Sequence, residues 1–128
     1  MRLTEHQEQA LLIKYLRLRD KEVSASIFSI PNGAHLAGTP LQRAKKMAAL
    51  KAEGLLTGAA DLMLMMARGG YHGLFIEMKR TKYVPSDVKK DQLDFQAQAI
   101  KNGYKSVICG GFDEAREQIR LYLALDNQ

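Results

Sequence analysis

Two carboxylates and a lysine in the middle of the chain have the types and the spacing of a site that hydrolyses phosphodiester bonds. Asp61 is followed sixteen positions later by Glu77, and Lys79 lies two residues beyond Glu77. A hard cation such as Mg²⁺ prefers oxygen ligands, and a neighbouring lysine can orient or deprotonate a water and stabilise charge on a phosphate. The pattern predicts a divalent-metal site, to which the backbone carbonyl of Met78 adds a third oxygen.

A β-hairpin would bring the two carboxylates together. Residues 59–66 and 71–78 read as two strands joined by a glycine-rich spacer. If the turn centres on Gly69, residues whose numbers sum to 138 face each other, so that the Cβ atoms of Asp61 and Glu77 lie about 4.5 to 5.5 Å apart. Lys79 then points to the same face as Glu77. Two carboxylates this close repel, and one pKa should rise unless a cation lies between them.

The alternative for this pattern is a solvated charge pair on an ordinary strand, and spacing alone does not exclude it. Both carboxylates are, however, embedded in apolar runs, with residues 62–66 after Asp61 and residues 74–76 before Glu77. An unpaired carboxylate in such surroundings is costly. The setting therefore favours a site over a solvated strand.

The balance of charges favours a polyanionic partner. The chain has 128 residues, enough for one domain over residues 1–128, and its 19 Lys and Arg outnumber its 14 Asp and Glu to give a net charge of +5. A solvated helix face remains the alternative for any single cation. The candidate phosphate-contacting cations are Arg43, Lys45, Lys46 and Lys51 on one predicted helix, and Arg80, Lys82, Lys89 and Lys90 after the Glu-x-Lys pair.

The lone cysteine, Cys109, excludes an internal disulfide and a cysteine-based zinc site, and it reads as a buried strand residue. No apolar run approaches the roughly 18 residues that a membrane span requires. We therefore expect a cytoplasmic protein without a membrane partner.

Helices and strands alternate along the remaining sequence. A helix over residues 5–19 begins with a Thr4–Gln7 capping box and carries an apolar stripe. A strand over residues 26–30 ends at a Pro-Asn-Gly turn, and a helix follows over residues 41–53. Asn32 and Gly33 either form a plain turn or approach the backbone of a substrate. The first helix's predicted stripe consists of Leu11, Leu12, Tyr15 and Leu16.

The C-terminal half continues the alternation. Ser86 is a candidate N-cap for a helix to about residue 102, residues 104–109 form a last strand, and Asp113 caps a final helix. The order is helix, strand, helix, strand, strand, helix, strand, helix, which predicts an α/β fold with one mixed sheet of about four strands flanked by helices. The last helix's predicted apolar face consists of Ala115, Ile119, Tyr122 and Leu123.

Two further polar positions are candidates for the site. Gln92 lies in the stripe formed by Val88, Phe95 and Ala99, where a buried amide needs partners. It is either a satisfied core amide or an amide aimed at the metal or a phosphate. On the first helix a glutamate could also reach the site, although glutamates near a helix start are ordinarily stabilised by the helix dipole.

These motifs together resemble the VRR-NUC family (virus-type replication and repair nucleases) of the PD-(D/E)xK superfamily. The likeness covers nearly the whole chain, and its order and spacing are more specific than any single motif. One departure is Ala60, where the family usually has the proline of a Pro-Asp pair, which supplies rigidity but no ligand atom. The segments that carry the likeness are Glu5 with Gln9, Ile30-Pro31-Asn32-Gly33, Leu50-Lys51-Ala52-Glu53-Gly54, Gly58-Ala59-Ala60-Asp61, Gly73-Leu74-Phe75-Ile76-Glu77-Met78-Lys79, Ser86 with Gln92, and Gly103-Tyr104.

The resemblance implies a restriction-endonuclease-like core, Mg²⁺ or Mn²⁺ as cofactor and DNA as substrate. It implies Asp61 and Glu77 as metal ligands, Lys79 as the catalytic lysine and Gln92 as the polar residue of the following helix. Glu5 fits the first-helix position better than Glu8, because Glu5 and Gln9 reproduce the family spacing, but the choice between the two glutamates stays open.

Small stand-alone members of the family resemble Holliday-junction resolvases that pair as homodimers, in the interior of a bacterial or phage-infected cell. The resulting hypothesis is a metal-dependent, structure-selective endonuclease for branched DNA, whose cations position DNA without reading bases. The alternatives are a non-catalytic DNA-binding module on the same fold and a nicking or exonuclease component of a replication-repair complex.

Overall fold

Four short strands form one mixed sheet at the centre of the molecule. The computed structural model describes residues 2–32 and 36–127, and its strands are β1 (Ile27–Ser29), β2 (Leu62–Leu64), β3 (Leu74–Lys79) and β4 (Lys105–Gly110). They lie side by side in chain order; β1 and β3 each run antiparallel to β2, and β4 runs parallel to β3. The predicted α/β fold with one mixed sheet flanked by helices is confirmed.

Helices cover both faces of this sheet. They are α1 (Glu5–Arg19), α2 (Lys21–Ser26), α3 (Pro40–Ala52), α4 (Lys90–Lys101) and α5 (Gly111–Leu123), and a 3₁₀ turn spans Pro85–Asp87. Within the described part of the chain, none of these helices is long and apolar enough to cross a membrane.

The alternation of side chains along β3 divides the molecule into a core side and a site side. Leu74, Ile76 and Met78 are buried in one cluster with residues of α1 and α5. Phe75 points to the opposite face, where its ring lies edge-on to that of Phe95 on α4, with centroids 5.1 Å apart. Glu77 and Lys79 share the face of Phe75, so they lie on the side of the sheet that α4 covers.

The hairpin has the predicted register but a different turn. Leu62 pairs with Ile76 and Leu64 with Leu74, so paired residue numbers sum to 138 as expected. The turn is not centred on Gly69, because Gly69 and Gly70 form a two-residue turn with φ of 56° and 84°. The residues on either side, Arg68 and Tyr71, exchange two backbone hydrogen bonds. One extra residue on the β2 side restores the register, and the regular strands are shorter than residues 59–66 and 71–78.

Helix α1 has the predicted limits and capping box, but its buried stripe differs from the prediction. Thr4 and Gln7 bond each other's backbone N–H groups. Leu12 and Leu16 are buried, whereas Leu11 is 43% exposed and the buried residue one turn before Leu12 is Glu8. The stripe therefore contains a carboxylate that needs partners.

Helix α2 was not predicted from the sequence. It begins directly after α1, because the Asp20 carboxylate accepts hydrogen bonds from the N–H groups of Glu22 and Val23 at 3.0 and 3.1 Å. Asp20 is the sequence signal for this start. With only six residues, α2 is too short for a periodic pattern to reveal it.

Two predicted helix starts are wrong. Ser86 belongs to the 3₁₀ turn, and α4 begins only after Lys89, because the Asp87 carboxylate accepts the Val84 N–H at 3.0 Å and forms a separate turn. Asp113 lies inside the first turn of α5, which begins at Gly111.

The predicted apolar face of α5 is confirmed, since Ala115, Ile119 and Tyr122 are buried and Leu123 packs against them. Cys109 is a buried strand residue, as predicted, and burial raises the pKa of its thiol to about 12.

Candidate active site

Asp61 lies at the point where the chain enters β2, and backbone contacts from two neighbouring strands hold it. Its carboxylate oxygen Oδ2 accepts a hydrogen bond from the Met78 N–H at 2.6 Å. Its own carbonyl accepts the Ile30 N–H at 2.8 Å, just beyond the end of β1. The side chain is therefore oriented toward β3 by the sheet itself.

The loop that delivers Asp61 is fixed against the first turn of α4. Gly58 has a φ of 86°, and a Cβ at this position would overlap the backbone of Asp91 and Gln92. Only glycine combines that backbone conformation with so close an approach. The loop before Asp61 and the start of α4 are thereby held together.

Glu77 and Lys79 form a buried ion pair beside Asp61. The two residues are 8% and 6% exposed, and the Lys79 Nζ lies 3.8 Å from the Glu77 Oε2. The Gln92 Nε2 donates to the same Glu77 oxygen at 3.1 Å, while the Gln92 Oε1 accepts the Lys89 N–H at 2.9 Å. Gln92 is therefore a satisfied amide and also an amide that points at the candidate site.

The electrostatics of this cluster favour a cation. Burial, the nearby Asp61 charge and a hydrogen bond with Asp61 raise the pKa of Glu77 to about 8, while Lys79 opposes the rise and Glu5 adds to it. The two neighbouring carboxylates repel each other. A cation that binds between them removes this repulsion and lowers the pKa of the carboxyl group.

The donor set fits an ion that keeps most of its waters. Within residues 2–32 and 36–127, no three His, Cys, Asp or Glu side chains converge to hold a metal. The available oxygens are the Asp61 and Glu77 carboxylates and the Met78 carbonyl, which lies on the strand edge facing Asp61 because the Met78 N–H points there. Mg²⁺ is typically held by one or two carboxylates together with waters and substrate phosphate.

The structure gives the two glutamates of α1 different surroundings. The Glu8 carboxylate accepts the Phe112 N–H at 2.9 Å and the Thr81 hydroxyl at 2.7 Å, so it caps the start of α5. Glu5 is exposed and acts on the pKa of Glu77. Of the two, Glu5 lies within electrostatic reach of the carboxylate pair and Glu8 is engaged elsewhere.

The candidate DNA-contacting cations of α3 lie on an exposed helix. No residue of α3 is buried, and Arg43, Lys45, Lys46 and Lys51 are all exposed. Arg43 and Lys46 donate to the carbonyls of Gly38 and Ala37, both at 2.8 Å, in the loop that precedes the helix. Lys45 and Lys51 make no such bond within the described residues.

The cations after Lys79 also fall into two groups, those that are paired within the protein and those that are not. Arg80 pairs with Asp87 at 3.0 Å and Lys90 with Asp94 at 2.8 Å. Lys82 and Lys89 are exposed next to the site. Asn32 is exposed just beyond β1, whereas Gly33 lies outside the described residues.

A cavity of about 610 Å³ lies on the face of the sheet that α4 covers. Phe75, Phe95 and Tyr104 form its apolar wall, and Asp91 and Asp94 lie at its edge. Carboxylates that line an apolar cavity repel a phosphate, so this cavity does not suit an anionic ligand.

Sequence reasoning missed a second cationic surface. Lys14 and Arg17 line a groove of about 450 Å³ between α1 and β1, together with Phe28. The signal in the sequence is their spacing of three residues, which places both on one face of α1.

Comparison with known proteins identifies the family and supports the fold. The model of the VRR-NUC domain family matches residues 2–113, which include every candidate site residue. A solved structure described as a VRR_NUC domain protein aligns with a TM-score of 0.81 at 25% sequence identity, over 98% of this chain and 92% of that chain. No curated protein matches the sequence.

Proposed function

The chain belongs to the VRR-NUC domain family, and we propose that it is a metal-dependent DNA endonuclease that hydrolyses phosphodiester bonds in branched DNA such as four-way junctions. The observation that carries the proposal is the convergence of Asp61, Glu77 and Lys79 on one end of the hairpin. Glu77 and Lys79 are buried and Asp61 is partly buried beside them. Apolar residues of similar volume often stabilise a fold at least as well as buried charges, so this cluster favours a functional role.

Each residue has a distinct task in this proposal. Asp61 and Glu77 hold Mg²⁺ or Mn²⁺, with the Met78 carbonyl as a further oxygen. When bound, the ion supplies a Lewis acid that neutralises phosphate charge and activates the attacking water. Lys79 stabilises the negative charge that develops on the phosphate and orients the water.

The neighbouring residues position the carboxylates. Gln92 holds the Glu77 carboxylate through one hydrogen bond and is itself held by the Lys89 N–H. Glu5 adds a negative charge at the edge of the site. Cations on α3 and after Lys79 contact phosphates and position the DNA.

Cleavage of defined DNA shapes tests the proposal. Purified protein is incubated with duplex, flap and four-way-junction DNA in Mg²⁺, Mn²⁺ or EDTA. We expect the junction to be cut in Mg²⁺ and Mn²⁺ and to stay intact in EDTA. Asp61→Asn and Lys79→Ala should each lower the rate by about 100-fold or more. Lys101→Ala, an exposed change at the far end of α4, serves as the control and should cut like the wild type.

Three other results would change the assignment. Tight junction binding without cutting in any metal would favour the non-catalytic DNA-binding module. Equal cutting of all three shapes would remove the junction preference, and cutting of one strand only would favour a nicking component.

A homodimer belongs to the same proposal. One site cuts one strand, so a two-fold dimer is needed to set two sites on a two-fold symmetric junction. Sedimentation equilibrium at micromolar protein should give twice the 14.3 kDa chain mass. A monomer that still cuts both strands of a junction would contradict this part of the proposal.

A further inference from the structure

We propose that the groove between α1 and β1 binds a single DNA strand and guides it into the candidate active site. The inference rests on the proposed nuclease function and adds a substrate feature to it, an unpaired strand next to the cut. The residues that line this strand groove include Gln9, Ile13, Lys14, Arg17, Phe28 and Ser29.

The strand groove lies next to the candidate site, although no candidate metal ligand lines it. Along α1, the groove residues Gln9, Ile13 and Arg17 continue at intervals of four from Glu5, so they lie on one face of the helix. On the other wall, β1 ends at Ser29, and the next residue donates its N–H to the carbonyl of Asp61. A strand lying in the groove would therefore reach Asp61 and Glu5 at its inner end.

The charges of the strand groove suit a phosphodiester backbone. Lys14 and Arg17 line it, and its lining contains no Asp or Glu among the described residues. Neither cation forms an ion pair within the described part of the chain. This distinguishes them from Arg80 and Lys90, whose charges are already paired with carboxylates.

An exposed aromatic residue in the strand groove favours an unpaired strand over a duplex. Phe28 is 45% exposed although it lies on a strand of the sheet, and Leu18, which also lines the groove, is 78% exposed. Bases stack on aromatic side chains when they are not enclosed in a duplex, and cations beside the ring track the backbone. In a duplex the bases already stack on one another. A duplex bound through its phosphates would therefore have no base available to stack on the Phe28 ring.

An extended peptide added to the edge of the sheet is the competing occupant. Strand addition depends on a run of main-chain hydrogen bonds, and β1 offers only three residues. Peptide binding would also leave the two unpaired cations unexplained. The observations therefore favour nucleic acid.

Binding in EDTA tests the inference without requiring cleavage. The full-length protein is titrated into a fluorescein-labelled oligothymidine strand and followed by anisotropy. Phe28→Ala should weaken binding by about 5- to 100-fold, the effect of removing one stacking platform. Leu121→Ala, a similarly exposed apolar change on α5, is the matched control and should bind like the wild type.

Two further variants separate stacking and charge from loss of structure. Phe28→Trp keeps a stacking surface and should restore binding. The double change Lys14→Ala with Arg17→Ala should reduce the slope of log affinity against log salt by about 1.4, because each cation that neutralises a phosphate of a single strand contributes about 0.7 to that slope. A 2-aminopurine base within the thymidine strand should be quenched on binding to the wild type but not to Phe28→Ala.

Equal affinity of Phe28→Ala and Leu121→Ala for the oligothymidine strand would overturn the inference, as would equal competition by duplex and single-stranded DNA. The outcome is independent of the proposed activity. A protein that never cuts can still show Phe28-dependent strand binding, and a protein that cuts junctions can fail to show it.

Discussion

At the scale of single residues, Glu77 carries the strongest physical signature of the candidate site. Glu77 is buried beside a second carboxylate and pairs with Lys79. This ion pair does not offset the effects of burial and of Asp61, since the pKa of Glu77 is still raised to about 8. Such an arrangement destabilises the metal-free protein unless the carboxyl keeps its proton. In the proposed function, a divalent cation bound between the two carboxylates would remove this repulsion, so metal binding would stabilise the fold.

The raised pKa of Glu77 predicts how stability depends on pH. In the metal-free protein, folded Glu77 keeps its proton up to about pH 8, whereas in the unfolded chain it loses the proton near 4.5. The folded state therefore binds more protons across this window, so the contribution of Glu77 is fully present below pH 4.5 and is lost as the pH rises through 8.

Thermal unfolding in EDTA from pH 5 to 8.5 measures this contribution. At each pH, the melting temperature of Glu77→Gln is subtracted from that of the wild type. This difference should fall as the pH rises. Glu53→Gln, an exposed change next to α3, is the control. Its melting temperature should depend on pH as that of the wild type does. A Glu77→Gln protein with that same slope would show that Glu77 does not carry the proton.

Gln92 should act on cleavage through Glu77. Its amide holds the Glu77 carboxylate at 3.1 Å, and loss of a partner that orients a metal ligand typically costs 10- to 100-fold in affinity or activity. Gln92→Ala should lower the cleavage rate by about that factor and raise the Mg²⁺ concentration needed for half-maximal rate. Gln98→Ala, an exposed amide on the same helix, is the control. Parallel losses in both variants would indicate a general effect on α4.

At the scale of elements, the hairpin shows which features follow from sequence. The predicted register came from a turn centred on Gly69, and the register is right although that turn is wrong. The type of turn was not predictable, because an extra residue before Arg68 compensates for a tighter turn. The motif residues were found because their types and spacing are local properties of one hairpin.

The element starts that were missed depend on distant partners. The cap of α5 is Glu8, which lies 104 residues from Phe112 and 73 from Thr81. No local pattern reveals such a contact, and Asp113 therefore seemed the better cap. The available signal was a carboxylate, Glu8, four residues before the buried Leu12 and eight before the buried Leu16. This carboxylate could be read equally well as a site residue.

The two glutamates of α1 should separate stability from activity. Glu8→Ala removes two hydrogen bonds to a buried carboxylate and should destabilise the fold by about 1.5 to 3 kcal/mol, measured by urea unfolding. Glu5→Ala removes an exposed carboxylate and should leave the unfolding midpoint unchanged while lowering the cleavage rate. The reverse pattern would assign Glu8 to the site and Glu5 to the fold.

At the scale of the whole molecule, the net charge of +5 is less informative than the positions of the unpaired cations. Sequence could place basic residues near the carboxylates, but it could not tell which of them are neutralised within the protein. Arg80 and Lys90 are paired with Asp87 and Asp94, and Arg43 and Lys46 donate to carbonyls. Several other cations form no ion pair within the described part of the chain, namely Lys45, Lys51, Lys82 and Lys89, and Lys14 and Arg17 of the strand groove.

The unpaired cations predict a graded dependence of junction binding on salt. Each phosphate neutralised on duplex DNA contributes about 0.9 to the slope of log affinity against log salt. Changing Lys45 and Lys51 together to alanine should reduce the slope by about 1.8, and the same change at Arg80 and Lys90 should reduce it by less, because their carboxylate partners already neutralise them. Anisotropy with a four-way junction in EDTA measures both slopes, with Lys21→Ala and Lys101→Ala together as the control. If both double changes reduce the slope equally, DNA displaces the carboxylate partners when it binds. Ion pairs within the free protein would then not decide which cations contact phosphate.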